Sequence, residues 1–202
     1  MTNHHINNKT NLPMSEVDAI YHRRAVRNYK SQTIDKPTIH FLLNAAVQAP
    51  TAMHEEPWSF VVIQNQDILN RLSDTAKTLV RRDLQGSDSQ QAIHMLEFIN
   101  QPDFNVFYNA NSLIVIYSQF DGPFVVADCW LAAENLMLTA CAKGLGTCVI
   151  GFAVSALNSK EWRDELGIPA EMTAIAPIIV GIPAGEIPLV SRKEPKVLTW
   201  KS

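Results

Sequence analysis

A cluster of arginines near the start of the chain has the side chains and the spacing to bind a phosphate group. Arg23, Arg24 and Arg27 fall close together in a chain whose formal net charge is −3. If this piece is extended, Arg23, Ala25 and Arg27 lie on one side of it. The two forked guanidinium groups on that side can then converge on one phosphate. A solvated basic turn paired with surface carboxylates accounts for the same residues, and both interpretations stay open at this point.

A short loop over residues 50–58 has the composition to approach a flat ligand. Its two prolines restrict the backbone, and Thr51 and Ala52 are small enough to let a planar group come close. His54 is the one histidine that we place near a candidate site, although packing within the loop is the simpler explanation for it. The histidines show no pair with the spacing of a metal site, so we expect no metal.

The third candidate is a long apolar segment, Asp128 to Lys143, followed by a glycine-flanked strand, Gly146 to Gly151. The first part is apolar nearly all round, which predicts a helix buried on most sides. A helix that delivers the chain to such a strand can be the scaffold of a site, although a core helix and a turn is the simpler interpretation. The glycines do not fit the dinucleotide-binding fingerprint, and the sequence contains no P-loop motif.

The amino-acid composition indicates which class of protein carries these candidate sites. The 202 residues are 47% hydrophobic and 18% charged, the balance of a globular domain with a sizeable core. The weak negative charge gives no support for binding nucleic acid. Three cysteines without a C-x-x-C pair favour a reducing compartment and buried thiols. We therefore interpret Cys148 as a small buried hydrophobe.

The chain is expected to form one domain in the cytoplasm. Residues 1–14 are polar and are expected to be a disordered lead-in without the apolar core of a secretory signal. Residues 15–202 are expected to form the single domain. The apolar runs are too short to span a bilayer, so no membrane partner is expected.

Periodicity and capping residues predict the elements that carry the candidate residues. A capping box at Ser15 and Asp18 begins a short helix whose apolar face holds Val17, Ile20 and Tyr21. Because helices outnumber strands without strict alternation, the fold class is α+β, one sheet covered by helices. Further helices are predicted over 35–49, 67–82, 92–100 and 155–166, and strands over 59–63, 112–117 and 173–182.

Four pieces of the sequence together resemble the FMN-dependent nitroreductase family. They are the arginine run before Tyr29, the A-P-x-x-x-x-x-x-P-W loop, the helix leading into a Gly-Leu-Gly turn, and a tail arginine after an apolar strand and G-x-P-x-G. Their order covers nearly the whole chain from Ser15 onwards. The resemblance implies an α+β fold with a central, mainly antiparallel sheet flanked by helices. It also implies an interlocked homodimer with exchanged tails and two FMN sites at the interface.

The resemblance further implies which residues bind the cofactor. The arginine run lines the phosphate, ribityl and pyrimidine side of the flavin, and the end of the glycine-flanked strand offers backbone N–H groups to the ring and its N5. A tail arginine binds the phosphate, and the loop over residues 50–58 of the second subunit lies against the same flavin. The matching residues are Arg23, Arg24, Ala25 and Arg27, then Val149, Ile150 and Gly151, then Arg192, and finally Pro50, Thr51, Ala52 and His54.

Three positions depart from the family pattern. Ala25 stands where many relatives have serine, which removes one hydroxyl contact. His54 replaces a common asparagine and Glu56 a common glutamine. A carboxylate at position 56 either disfavours a reduced, anionic flavin or points outward. These changes bear on the choice of substrate more than on FMN binding.

The activity implied is that of an FMN-dependent oxidoreductase. NADH or NADPH would reduce tightly bound FMN and leave, and a small acceptor such as a nitroaromatic, quinone or enone would then be reduced in the same slot. No side chain need act as acid or base, because the cofactor carries the chemistry. A lid is expected over residues 80–105. The alternatives are a specialised flavin dehydrogenase or reductase of one metabolite, and a flavin-binding carrier or sensor without turnover.

Overall fold

The computed structural model describes residues 14–202, so the expected lead-in over residues 1–14 lies outside it except for Met14. The sheet in this part of the chain has the strand order β1-β2-β4-β3, and all three pairings are antiparallel. The predicted α+β class and antiparallel sheet are therefore confirmed. The strands are β1 (Trp58–Ile63), β2 (Ser112–Ser118), β3 (Gly146–Val149) and β4 (Thr173–Gly181).

Seven α-helices lie within the described residues, and their starts follow the capping residues. Ser15 and Asp18 form the predicted capping box, and the Asp35 carboxylate accepts a hydrogen bond from the N–H of Thr38 at 2.9 Å. The helices are α1 (Glu16–His22), α2 (Lys36–Ala46), α3 (Gln66–Leu84), α4 (Gln90–Ile99), α5 (Val125–Ala142), α6 (Val154–Leu157) and α7 (Lys160–Leu166).

Helices cover both faces of the sheet. The helices α2 and α5 pack on one face, where they meet Ile114 and Ile116 of β2. The helices α3, α6 and α7 pack on the other face, where they meet Leu113, Val115 and Tyr117. β2 is therefore buried along its whole length. This explains why its sequence is an unbroken apolar run instead of an alternating pattern.

The central helix α5 is less buried than the sequence predicted. Its inner face is in the core, but Val126, Trp130 and Leu131 are 52%, 39% and 45% exposed. It is the one described helix that is long and apolar enough to cross a membrane, and 44% of it is buried inside the fold. A core helix of a soluble protein has the same length and composition, and α5 packs on the sheet as such a helix.

One helix prediction was wrong in detail, and one correctly predicted helix has an exposed apolar face. The helix predicted over 155–166 is broken between α6 and α7, where Asn158 exchanges two hydrogen bonds with the backbone of Ala174 and Ser159 caps α7. The predicted apolar face of α1 does not enter the core, because Ile20 is 57% exposed and Tyr21 70% exposed. The contact between Asn158 and Ala174, which are 16 residues apart, decides the break between α6 and α7.

Candidate functional site

The arginine segment is extended and lies along the sheet. Ala25 forms a parallel bridge with Thr147 of β3, and the N–H of Val26 donates to the Thr147 carbonyl at 2.9 Å. Further along, the N–H of Lys30 donates to the Ile182 carbonyl at 2.8 Å. The segment therefore crosses from β3 to the end of β4, and main-chain hydrogen bonds fix its position.

Two glycines let the segment approach the sheet this closely. A Cβ on Gly146 would lie 2.7 Å from the Cβ of Val26, and a Cβ on Gly181 would lie 2.5 Å from Cδ1 of Tyr29. Neither distance is compatible with a side chain. The Tyr29 hydroxyl donates to the Val26 carbonyl at 2.6 Å, and burial raises its pKa. Tyr29 therefore stays protonated and closes the segment on itself.

Beside the segment, at the end of β3, lies a cavity of about 240 Å³. Gly151 has open space where a Cβ would stand, and its N–H donates no hydrogen bond to any residue in the range 14–202. A small space with apolar walls, a free main-chain donor and one cation suits a planar heteroaromatic ligand. We call this cavity the ring slot; it is lined by Arg27, Val106, Tyr108 and residues 148–152.

The residues at the end of β3 do not all offer their main-chain N–H groups to the ring slot, as the resemblance implied. The N–H of Ile150, expected to face the ring together with that of Gly151, donates instead to the Pro177 carbonyl at 2.9 Å. Ile150 is thereby tied to the sheet, and its side chain is 3% exposed. Val149 pairs with Ile178 of β4. Within residues 14–202, the N–H of Gly151 remains free to donate to a ligand.

Arg23 and Arg27, expected to converge on one phosphate, have different partners. The guanidinium carbon of Arg27 lies 5.7 Å from the centroid of the Tyr108 ring, a cation–π distance that holds the charge at the wall of the ring slot. The Nε of Arg23 donates to Oε1 of Glu134 on α5 at 3.2 Å. Arg27 thus belongs to the ring side of the site.

The other predicted phosphate-side residues, Arg24, Ala25 and Arg192, also lie in different surroundings from one another. The Nη1 of Arg24 donates to the carbonyls of Tyr21 and Arg23 at 2.8 and 2.7 Å, so this side chain caps the end of α1. Ala25 is exposed, and Arg192 is exposed in the tail that follows β4. Arg192 makes no side-chain hydrogen bond or ion pair with another residue in the described part of the chain.

The loop before β1 has an unusual backbone. A 3-10 turn covers Ala52–His54, and Met53, His54 and Glu56 have φ values of 54°, 57° and 47°. These are left-handed conformations that cost side-chain-bearing residues free energy. Pro50 and residues 53–56 are exposed, while Thr51 and Ala52 are half-buried. The loop is therefore a strained projection from the surface of its subunit.

The structure does not bring this loop to the ring slot of the same subunit. The loop leads into β1, and the ring slot lies at the end of β3. These two strands are the opposite edges of the sheet. Three strand spacings separate the edges, about 14 Å. No residue of the loop lines the ring slot. The loop and the ring slot therefore do not form one cavity within residues 14–202 of a single chain.

Burial keeps the titratable groups of the ring slot protonated. Burial is the largest cause of the raised pKa of the Cys148 thiol, although the neighbouring Arg27 charge partly offsets it. Burial likewise raises the pKa of Tyr108, again against the effect of Arg27. The interpretation of Cys148 as a small buried hydrophobe, 4% exposed, is therefore confirmed.

Sequence reasoning missed several residues around the site. Val106 and Tyr108 lie in a loop without periodic pattern, and no local signal identifies them. Glu134 on α5 is the partner of Arg23. Asp128 is 4% exposed and accepts a hydrogen bond from the loop residue Ala52. A carboxylate in an apolar helix was the available signal for Asp128.

Fold and site together define an α+β protein with a slot for a planar ligand beside an edge strand of its sheet. The sequence model of the nitroreductase family matches residues 20–182. This chain belongs to the nitroreductase family.

Individual relatives support the same placement. A protein of Archaeoglobus fulgidus, provisionally named an NADH dehydrogenase/NAD(P)H nitroreductase, is 28% identical over 172 residues, which is 83% of this chain and 84% of that protein. An iodotyrosine deiodinase of Thermotoga neapolitana is 21% identical over 179 residues, 85% of this chain and 90% of that one. The crystal structure of a Bacteroides fragilis nitroreductase with bound FMN superposes with a TM-score of 0.75 and 25% identity, covering 92% and 97% of the two chains.

Proposed function

We propose that this protein is an FMN-dependent oxidoreductase that takes electrons from NADH or NADPH and passes them to a small acceptor. The observation that carries the proposal is the ring slot, with an unused N–H at Gly151, open space in place of a Cβ, and Arg27 on its wall. These features fit the edge of an isoalloxazine ring. A related solved structure contains FMN, and a curated relative carries NAD(P)H in its name.

The residues present fit this cofactor on both its parts. The ring requires a slot with a donor near N5 and a cation near the pyrimidine, which Gly151 and Arg27 would supply. The phosphate requires forked cations, for which Arg23 and the tail residue Arg192 are the candidates. The full proposed set is Arg23, Arg24, Ala25, Arg27, Val149, Ile150, Gly151 and Arg192 of one subunit, with Pro50, Thr51, Ala52 and His54 of the other.

The protein's own part in the reaction is to bind and to orient. FMN, when bound, supplies the hydride and electron transfer between nicotinamide and acceptor. Arg27 keeps a positive charge beside the ring slot, and the Gly151 N–H offers a fixed donor at its floor. Tyr108 and Cys148 stay protonated because burial raises their pKa values. No side chain of the ring slot is therefore assigned as a general base.

The proposed active unit is a homodimer. The strained loop and the ring slot lie at opposite edges of one sheet, so two copies are needed to put them together. The tail beyond β4 ends in apolar residues that its own core does not cover, with Leu198 83% and Trp200 85% exposed. Exchange of these tails between subunits would bury them and bring Arg192 to a cofactor site. Residues 15–202 would form the single domain of each subunit.

A second candidate is a flavin enzyme specialised for one metabolite. The similarity to an iodotyrosine deiodinase over most of both chains favours it, because that enzyme removes a substituent from an aromatic amino acid. Under this alternative the same cofactor residues operate with a different acceptor, chosen by the expected lid over residues 80–105.

The test is a spectrum followed by an anaerobic titration. Purified protein should be yellow and release FMN on denaturation, and NADH or NADPH should bleach the flavin. A nitroaromatic or a quinone should then restore the colour. Flavin reduced by dithionite but by neither nucleotide would favour the specialised enzyme or a carrier. Colourless protein that binds no added FMN would refute the proposal.

A further inference from the structure

Asp128 is a buried carboxylate that the proposed reaction does not use. It lies in the first turn of α5 and is 4% exposed. Its Oδ2 accepts a hydrogen bond from the N–H of Ala52 at 3.2 Å. Within residues 14–202 this is the only hydrogen bond to its side chain. A buried carboxylate is costly without such a partner, so its position demands an explanation.

The group that it holds is the strained loop over residues 51–56. Three of these six residues have left-handed φ values without being glycine, a conformation that persists only where the surroundings impose it. Residues 53–56 are exposed, with Met53 at 84%, so packing within the subunit does not impose it. The bond from Ala52 to Asp128 joins the start of the loop to the central helix.

We propose that Asp128 is a positioning residue that fixes the loop over residues 51–56 of one subunit in the conformation it presents to the flavin of its partner. This inference rests on the proposed function. Because α5 packs on the sheet, the hydrogen bond to Asp128 anchors the start of the loop to the protein core. The tip of the loop stays exposed and is free to contact the second subunit. Loss of this bond would release the loop while leaving in place the proposed FMN-binding residues that lie outside it, such as Arg27 and Gly151.

The experiment compares Asp128→Ala with Asp128→Asn in the FMN-bound dimer. Asparagine keeps an acceptor oxygen for the Ala52 N–H, whereas alanine does not. Asp128→Ala is expected to raise the acceptor KM by up to about tenfold, the effect of losing one hydrogen bond. Asp128→Asn should stay within about twofold of the wild type. The Kd of FMN should change less than the acceptor KM, because most of the proposed cofactor residues lie outside the loop. The visible circular dichroism of the bound flavin should change in Asp128→Ala only.

A change on the loop side provides the matched control. Ala52→Pro removes the donor N–H, and Thr51 at φ −130° and ψ 148° already has the backbone that a following proline requires. The effect of Asp128→Ala on KM should shrink to less than about twofold in the Ala52→Pro background, because the interaction is already absent. Additive effects would overturn the proposal. If Asp128→Ala fails to fold, Ala52→Pro tests the bond alone, because it removes the donor and should itself raise the acceptor KM; a wild-type KM in Ala52→Pro would then refute the positioning role.

Three other results separate this inference from the proposed function. Wild-type KM in Asp128→Ala, with flavin turnover intact, would refute the positioning role alone. An Asp128→Asn variant as impaired as Asp128→Ala would also refute it, because charge and not hydrogen bonding would be the cause. Wild-type protein that neither binds FMN nor turns over would refute the proposed function, and the inference with it.

Discussion

At the scale of single residues, the arginine run divides its charges among three tasks. Arg24 caps a helix end, Arg23 pairs with Glu134, and Arg27 stacks on Tyr108 beside the ring slot. The sequence predicted that these residues belong to a site, and the extended backbone is as expected. It did not predict the division, because each partner is selected by a contact that spacing along the chain does not encode.

Because Arg27 lies at the ring slot and Arg192 is assigned to the phosphate, their substitution should affect the binding of FMN and riboflavin differently. Arg192→Ala should weaken FMN binding about tenfold to a hundredfold, since a charged hydrogen bond contributes about 1.5–3 kcal/mol. Riboflavin, which lacks the phosphate, should bind the Arg192→Ala variant as it binds the wild type. Arg27→Ala should weaken both ligands alike, because Arg27 lies at the ring slot. Flavin fluorescence quenching measures all four affinities, and equal losses of both ligands in Arg192→Ala would contradict its phosphate role.

The three cysteines should be unreactive in the folded protein. Burial disfavours the thiolate and raises the pKa of each thiol, that of Cys129 to about 11. At pH 8 the thiolate fraction of Cys129 is then about one part in a thousand, and only the thiolate is alkylated. Mass spectrometry after iodoacetamide should find little labelling at pH 8, more as the pH rises, and three labels after denaturation. Rapid labelling of Cys148 at pH 8 would indicate a redox thiol.

At the scale of elements, local signals predicted most helices and strands, and long-range contacts explain the exceptions. The start of α2 follows from its capping residue and the extent of β2 from its apolar run, and α3 was predicted to within two residues at each end, whereas α2 ends three residues earlier than predicted. The break between α6 and α7 does not, because Asn158 leaves the helical pattern to bond a strand distant in sequence. The left-handed loop before β1 is equally invisible to periodicity. The candidate site shows the same limit, since Gly151 was predicted and Tyr108 was not.

The packing of the arginine segment on the sheet gives an element-scale prediction. Gly146→Ala would place a Cβ 2.7 Å from Val26, and such overpacking costs about 1–3 kcal/mol. The Tm of the flavin-free protein should fall by about 3–10 °C. FMN binding should weaken as well, because Arg27 moves with the segment. Gly185→Ala, where a Cβ meets nothing within 4 Å, is the control and should leave the Tm unchanged. An unchanged Tm in Gly146→Ala would show that the segment yields easily.

At the scale of the whole molecule, many large apolar side chains are exposed on a single chain and are not packed into its core. The exposed residues lie on α1, on the outer face of α5 and along the tail beyond β4. Single exposed hydrophobic residues need no explanation, but contiguous ones indicate an interface. The sequence predicted the apolar tail and the apolar helix. It could not show that neither is covered within one subunit, because burial depends on how the elements pack.

The last prediction concerns the dimer and joins these surfaces to the site. The wild-type protein should have twice the mass of one chain by light scattering at micromolar concentration. Trp200→Ala should weaken the dimer about thirtyfold or more, because a buried tryptophan at an interface contributes about 2 kcal/mol or more. If the loop over residues 51–56 completes the site of the partner, FMN should dissociate from Trp200→Ala over the same range of protein dilution as the subunits do. Arg192→Ala is the control, since it should lose FMN affinity and stay a dimer. A wild-type monomer that retains FMN would contradict the interfacial site, because each ring slot would then be complete without the loop of a second subunit.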